Sequence, residues 1–140
     1  MKPIIILIDD DKLLMSYYIR ALKSGGFKVL QFYNPDGAFD YLDKNRDKTI
    51  AAFILDILML PGKRYKKEEG TNDGLTTGLL IYRDLRLSYP TTPIVILSNV
   101  DNDAILSSFR KDRAVEVVTK LEYEPFEFVD FINTKILLQK

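Results

Sequence analysis

The chain contains no cysteine and no histidine. Without cysteine there is no disulfide, no thiolate nucleophile and no Cys-ligated zinc. Without histidine the usual general base, every Ser-His-Asp or Cys-His arrangement and most transition-metal sites are excluded. Any metal ion must therefore be hard and oxygen-ligated, which means Mg²⁺, Mn²⁺ or Ca²⁺. An excess of one charge is missing too. The 20 Lys plus Arg residues balance 20 Asp plus Glu, so no bulk electrostatic pull on nucleic acid or acidic membranes is expected. No apolar stretch approaches the ~20 residues that cross a bilayer. The amino-terminal apolar run is short, ends in Asp9, Asp10 and Asp11, and has no small-residue cleavage site after it. It does not read as a secretory signal, and a cytoplasmic protein is expected. At 140 residues the chain is read as one domain, 1–140, long enough to bury roughly two-thirds of its unfolded surface.

What is present is an alternation. The segment Ala51–Pro61, AAFILDILMLP, carries a run from Ala52 to Leu55 with no polar residue and then Asp56. Such a run suits a strand buried on both faces, as in a parallel sheet. Ile4–Ile8 is a second all-apolar, β-branched run, closed by Asp9, Asp10 and Asp11. From Lys12 to Ser24 the residues Leu14, Tyr17, Tyr18, Ala21 and Leu22 recur at the spacing of one helical face, and Gly25-Gly26 stops the helix. Phe27–Tyr33 reads as a strand, and Asn34-Pro35 opens a short helix with Phe39 and Leu42 on one face. Residues 63–77, KRYKKEEGTNDGLTT, read as a long charged loop in which only Tyr65 and Leu75 can bury much. Gly78–Ser88 returns to helical spacing, through Leu79, Tyr82 and Leu85 or through Leu80, Ile81 and Leu85. Ile94–Leu97 is a strand closing on Ser98. Asn102–Lys111 is a short helix with Ile105, Leu106 and Phe109 inward. Val115–Thr119 is a strand closing on Lys120, and Pro125–Leu138 is the final helix. Strands and helices alternating in this way predict an α/β fold, a parallel sheet covered by helices on both faces through right-handed crossovers.

Four strands thus end in a functional group: Asp9-Asp10, Asp56, Ser98 and Lys120. In a parallel sheet these ends share one edge, where open α/β sheets bind ligands. Taken singly, Asp9–Asp11 read equally as a helix cap, Asp56 as the start of a turn, and Ser98 and Lys120 as structural or solvated groups. Together they carry a chemistry. Converging carboxylates raise one another's pKa, and a hard cation such as Mg²⁺ removes that conflict. With the Lys120 ammonium and the Ser98 hydroxyl, the set makes a site for phosphoryl oxygens, beside an aspartate able to form an acyl phosphate.

At this point the chain resembles the receiver domain of bacterial two-component response regulators, nearly end to end from Ile4 to about Leu138. IIILIDDDKLL resembles the family's first strand and acidic pair, ILDI with LPG its phosphoacceptor segment, and GLLIYRDLR its third helix. PIVILSN resembles the fourth strand with its switch hydroxyl, and VVTK the strand with its lysine. The resemblance implies a flavodoxin-like, doubly wound five-stranded sheet in the order 2-1-3-4-5. It implies phosphorylation of Asp56 by a histidine kinase or phosphotransfer protein, with Mg²⁺ (or Mn²⁺) required. It further implies Asp10 as a direct metal ligand, Asp9 as one through water, and the Leu58 carbonyl beside Asp56. Ser98 would bond the phosphoryl group and Lys120 would pair with it. Four departures are visible. Pro61 stands one residue further from Asp56 than the family's proline, and Gly78 lies so far beyond Asp56 that residues 63–77 hold an insertion. Leu121 replaces the proline after the lysine, so a trans peptide is expected there, and Val117 replaces the aromatic three residues before the lysine.

Three functions follow as expectations. The first is a stand-alone receiver with no further chain for an output domain, signalling by protein contact. The last helix supports it: with Phe126, Val129, Ile132 and Ile136 inward, Phe128, Phe131 and Leu138 are left partly outward for a protein target or a homodimer. The second is a degenerate receiver-like binding module little affected by phosphate. The third, a phosphatase of the haloacid-dehalogenase kind, is disfavoured because Leu58 stands where that family's second acid is needed. Residues 63–77 either shield the site or choose the kinase, or are a solvated loop.

Overall fold

The computed structural model describes residues 1–66 and 77–137. The apolar runs form Ile4–Ile8 (β1), Lys28–Phe32 (β2), Ile50–Leu55 (β3), Ile94–Ser98 (β4) and Val115–Thr119 (β5). All pair in parallel, in the order β2-β1-β3-β4-β5. The helices between them are Lys12–Ser24 (α1), Pro35–Lys44 (α2), Thr77–Ser88 (α3), Asp103–Arg110 (α4) and Pro125–Phe131 (α5), the last running on as a π-helix over Ile132–Leu137. This is the flavodoxin-like, doubly wound fold in the order expected from the resemblance.

All six residues of β3 are buried because both faces of the sheet are covered. Its pleat sends Phe53 and Leu55 to a core with α2, α3 and α4, and Ala52 and Ile54 to a core with α1 and α5. At the edge, β5 is less covered, with Val115 buried on one face, Val118 on the other, and Glu116 in solvent.

Two helices sit rotated from the expected faces. In α1 the buried set is Met15, Tyr18, Ala21 and Leu22, while Tyr17 is exposed. In α5 Phe128 is buried and Phe126 is 71 % exposed, the reverse of the expectation. The cause lies at the helix start. Pro125 occupies the first turn, and Glu124 and Glu127 exchange bonds in a capping box. That start points Phe128 across to Tyr18, edge to face at 5.2 Å. Phe128 is therefore core, not part of an outward apolar face, and Phe131 is half-buried against Tyr123 at 5.1 Å. Leu138 lies outside the described residues.

Candidate functional site

The sheet's hydrogen-bond ladders run one residue past the strand ends, and this assembles the rim. Ile8 and Leu55 are register partners. One step on, the Asp9 amide donates to the Phe32 carbonyl (3.1 Å) and the Asp56 amide to the Ile8 carbonyl (3.1 Å). On the other side Ser98 pairs with Thr119, and the Lys120 amide donates to the Ser98 carbonyl (3.2 Å). Asp9, Asp56, Ser98 and Lys120 are all buried.

The Lys120 Nζ donates to Asp56 Oδ2 (2.8 Å) and forms an ion pair with Asp9 Oδ2 (3.0 Å). Burial works to lower the pKa of this ammonium, but the bond to Asp56 and the charges of Asp56 and Asp9 outweigh it, so the group stays charged. Asp56 Oδ1 accepts from the Ile57 amide (2.7 Å), and Asp9 Oδ1 from the Asp11 amide (2.9 Å). Burial pushes the Asp9 carboxyl up to about 6, against the Asp11 amide bond that favours its ionised form. Asp10 is raised by burial and then by the Asp56 charge. Asp11 plays another part, since its Oδ1 caps α1 on the Leu14 amide (3.1 Å). Asp11 is thus the cap of the helix, while the Asp9 and Asp10 carboxylates lie close to that of Asp56.

The residues fit a divalent cation. Ligand oxygens of Asp9, Asp10 and Asp56 lie within 4.8 Å of one another. Asp9 Oδ2 is buried and, despite its charge contact with Lys120, has no aligned hydrogen bond among the described residues. Three carboxylates facing one ammonium leave two formal negative charges, which a single Mg²⁺ would neutralise. Asp10, Asp56, Leu58, Ser98 and Lys120 line one cleft of about 420 Å³, with Asn99 and Val100 beside Ser98. The Ser98 Oγ accepts from the Val100 amide (3.2 Å), which leaves its own O–H for a ligand.

The stretch after Asp56 alternates: Ile57 and Met59 are buried, Leu58 and Leu60 exposed on the cleft. Gly78, at the start of α3, packs on the Asp56–Ile57 backbone and donates to the Ile57 carbonyl (2.9 Å). Two described residues of the 63–77 segment are packed into the fold. Tyr65 is buried, as its composition suggested, with its hydroxyl donating to Asp84 (2.7 Å), and Thr77 is buried in the first turn of α3. Gly70, Asn72, Leu75 and the rest of 67–76 lie outside the described residues.

The Lys120–Leu121 peptide is trans, as expected from Leu121. The chain turns instead by placing Leu121 at φ 69°, where its amide donates to the Tyr18 hydroxyl (3.2 Å). A left-handed residue other than glycine costs ~1–2 kcal/mol. The Leu121 side chain is 72 % exposed, so little packing is at stake. Leu121→Gly is therefore expected to stabilise the fold by about 1 kcal/mol after the extra freedom of the unfolded chain is deducted. Urea denaturation checks this, and a lower midpoint would contradict it.

Sequence reasoning missed Asn99, Met59 and Leu60 as cleft walls, and Asp36, whose carboxylate bonds the backbone behind this loop. Position next to a strand end was the available signal for Asn99, and the stretch that follows Asp56 the signal for Met59 and Leu60, and none existed for Asp36.

No protein-family model matches the sequence, and no curated protein matches it. Solved structures do match. A response regulator from Thermotoga maritima superposes with a TM-score of 0.68 at 21 % identity, over 97 % of this chain and 98 % of its own. The receiver domain of NtrX from Brucella abortus gives 0.69 at 16 %, over 97 % and 99 %. The fold is that of a receiver domain. The RcsB response regulator of Salmonella typhimurium, at a TM-score of 0.70 and 19 % identity, is covered over only 62 % of its chain by 97 % of this one. At these identities the likeness is one of receiver fold, and function has to be argued from the site. No helix among the described residues is long and apolar enough to cross a membrane.

Proposed function

We propose that the chain works as a response-regulator receiver that takes a phosphoryl group onto Asp56 from a phosphohistidine of a histidine kinase or phosphotransfer protein, in the cytoplasm. The observation that carries this reading is the Asp56 carboxylate held at 2.8 Å by a buried ammonium, beside two further carboxylates and open to a cleft. A carboxylate oxygen of Asp56 attacks phosphorus, the P–N bond to the donor imidazole breaks, and the new P–O bond makes an acyl phosphate. Mg²⁺ or Mn²⁺, held by Asp9, Asp10, Asp56 and the Leu58 carbonyl, would supply neutralisation of the phosphoryl oxygens' charge. Lys120 then exchanges its bond to Asp56 for one to a phosphoryl oxygen, and Ser98 donates to another. Lacking a histidine, the chain transfers the group with no base of that kind, which the reaction does not need. Leu58, where a phosphatase of the haloacid-dehalogenase kind would need its acid, offers only a hydrocarbon to the cleft. Output goes to a protein target or a second copy of the chain, as a charge change biasing a two-state element.

Incubation with acetyl phosphate and MgCl₂ is expected to add the mass of one phosphoryl group to the native protein. EDTA or Asp56→Asn should remove it, and no adduct in the native protein would overturn the assignment. A second reading, a binding module indifferent to phosphate, is favoured by Val117, half-buried where an aromatic is usual. It requires that Mg²⁺ with beryllofluoride leave the amide spectrum unchanged.

A further inference from the structure

We infer that Asp36 is a positioning residue for the loop between Asp56 and Gly62, its carboxylate acting as the far anchor of the segment that carries Leu58. This rests on reading Asp56 as the phosphoryl acceptor. Asp36 lies in the first turn of α2. Its Oδ2 accepts from the Lys63 amide (2.8 Å) and its Oδ1 from the Arg64 amide (2.9 Å). Both carboxylate oxygens are thus committed to consecutive backbone amides, a paired and charge-assisted contact. Gly62 lies directly under it. Its φ is +65°, and a Cβ there would fall 2.6 Å from Asp36 Oδ2. A residue other than glycine would be strained at this angle and would push the carboxylate off the two amides. The Arg64 guanidinium then stacks on the Phe39 ring at 3.8 Å, which ties the same point to α2 a second time.

The near end of the loop is fixed independently by the bonds of Asp56 to Ile8 and of Gly78 to Ile57. Between the two anchors Ile57 and Met59 plug into the core while Leu58 and Leu60 face out. One residue more than usual separates Asp56 from Pro61, and a longer span between fixed ends has more conformations. A carboxylate gripping two amides just past Pro61 removes that slack, so the Leu58 backbone keeps one place at the cleft that Asp10 and Asp56 line.

The test uses the full chain and two readouts. In metal-free protein, Asp36→Ala and Gly62→Ala are expected to speed amide exchange across residues 57–64 at least about tenfold, since each lost bond to a charged acceptor is worth that much or more. The same variants should raise the Mg²⁺ midpoint, read from amide shifts on titration with MgCl₂, by about tenfold. Asp36→Asn, which keeps one acceptor oxygen, should fall between them and the native protein. Tyr82→Phe breaks the 2.7 Å bond to Asp112, which touches no residue of the loop, and lowers stability. It should leave the Mg²⁺ midpoint within about twofold of native; a shift as large as that of Asp36→Ala would mean that general loosening, not Asp36, sets the loop. Unchanged exchange over 57–64 in Asp36→Ala overturns the inference. If exchange rises but the Mg²⁺ midpoint does not move, Asp36 is merely structural and the inference also fails. A native protein that binds no Mg²⁺ and takes no phosphoryl group would instead overturn the function proposed for Asp56, with the exchange experiment still deciding whether Asp36 holds the loop.

Discussion

Gly78→Ala is expected to lower stability by about 1–3 kcal/mol and to slow phosphorylation of Asp56 by acetyl phosphate at least about tenfold. A methyl group at this position would sit 2.5 Å from the Asp56 carbonyl oxygen and 2.5 Å from the Ile57 Cα. Both are backbone atoms, so no rotamer change makes room. Either α3 moves off the sheet, breaking the 2.9 Å bond from the Gly78 amide to the Ile57 carbonyl, or the Asp56–Ile57 peptide is pushed toward the cleft. Overpacking of this kind costs ~1–3 kcal/mol and the lost bond about 1 more. Against this, alanine is favoured over glycine by about 1 kcal/mol within a helix, which sets the net figure. The kinetic effect follows from geometry. A displacement of about 1 Å in a reacting group costs on the order of a hundredfold in rate, and the Ile57 amide that orients Asp56 Oδ1 at 2.7 Å belongs to the peptide being displaced. Urea titration and the rate of adduct formation by mass spectrometry check the two halves separately. A variant as stable as the native protein would show that α3 yields without cost, and full phosphorylation in a destabilised variant would show that Asp56 stays in place.

The same glycine shows how legible the site was. The fold could be read because apolar runs ending in Asp9, Asp56, Ser98 and Lys120 say both that the strands are buried and that their ends share an edge. Ladder bonds do the rest, since Asp9 and Asp56 follow the paired residues Ile8 and Leu55. Helix rotation was less legible. Phe126 and Phe128 can each complete an apolar stripe with Val129, Ile132 and Ile136, and the choice between them falls to the Glu124 cap and the Tyr18 ring, neither visible in periodicity. Tyr17 and Met15 pose the same ambiguity in α1, where Met15 takes the core. Contacts such as Asp36 with Lys63 and Arg64, or Arg86 Nε with Asp112 at 2.6 Å, join distant residues with no repeating pattern between them. Only the folded sheet brings these groups together.

Asp9→Asn is expected to have opposite effects with and without metal. In metal-free protein the Asp9 carboxyl titrates at about 6, raised from 3.8 chiefly by burial. The native state therefore binds this proton more tightly than the unfolded chain does. The sign follows: Asp9 costs nothing below pH 3.8, and its cost grows as pH rises from 3.8 through about 6 and is complete above that. At 1.36 kcal/mol per pKa unit the full cost is roughly 3 kcal/mol. Asparagine keeps the acceptor for the Asp11 amide and the side-chain volume, and Lys120 retains its 2.8 Å bond to Asp56. But the Asn Nδ2 would stand where Oδ2 lies 3.0 Å from the Lys120 Nζ, donor against donor, which takes back about 1 kcal/mol. At pH 7.5 without metal, Asp9→Asn should accordingly be more stable than the native protein by about 1–2 kcal/mol, and near pH 4 that advantage should be gone. Asp84 and Asp112 titrate oppositely: both are lowered, against burial, by bonds chiefly from Arg83 and Arg86, so their stabilisation is lost only as pH falls below the usual carboxylate range. They are common to both proteins and cancel in the difference. Adding MgCl₂ reverses the order, because a cation bound only by the folded state stabilises the protein that can hold it. Urea titrations at pH 4 and 7.5, with and without MgCl₂, contain the whole argument. If the variant were less stable at pH 7.5 in the absence of metal, the buried carboxylate would be satisfied by Lys120 alone, and the case for a cation drawn from its strain would fall.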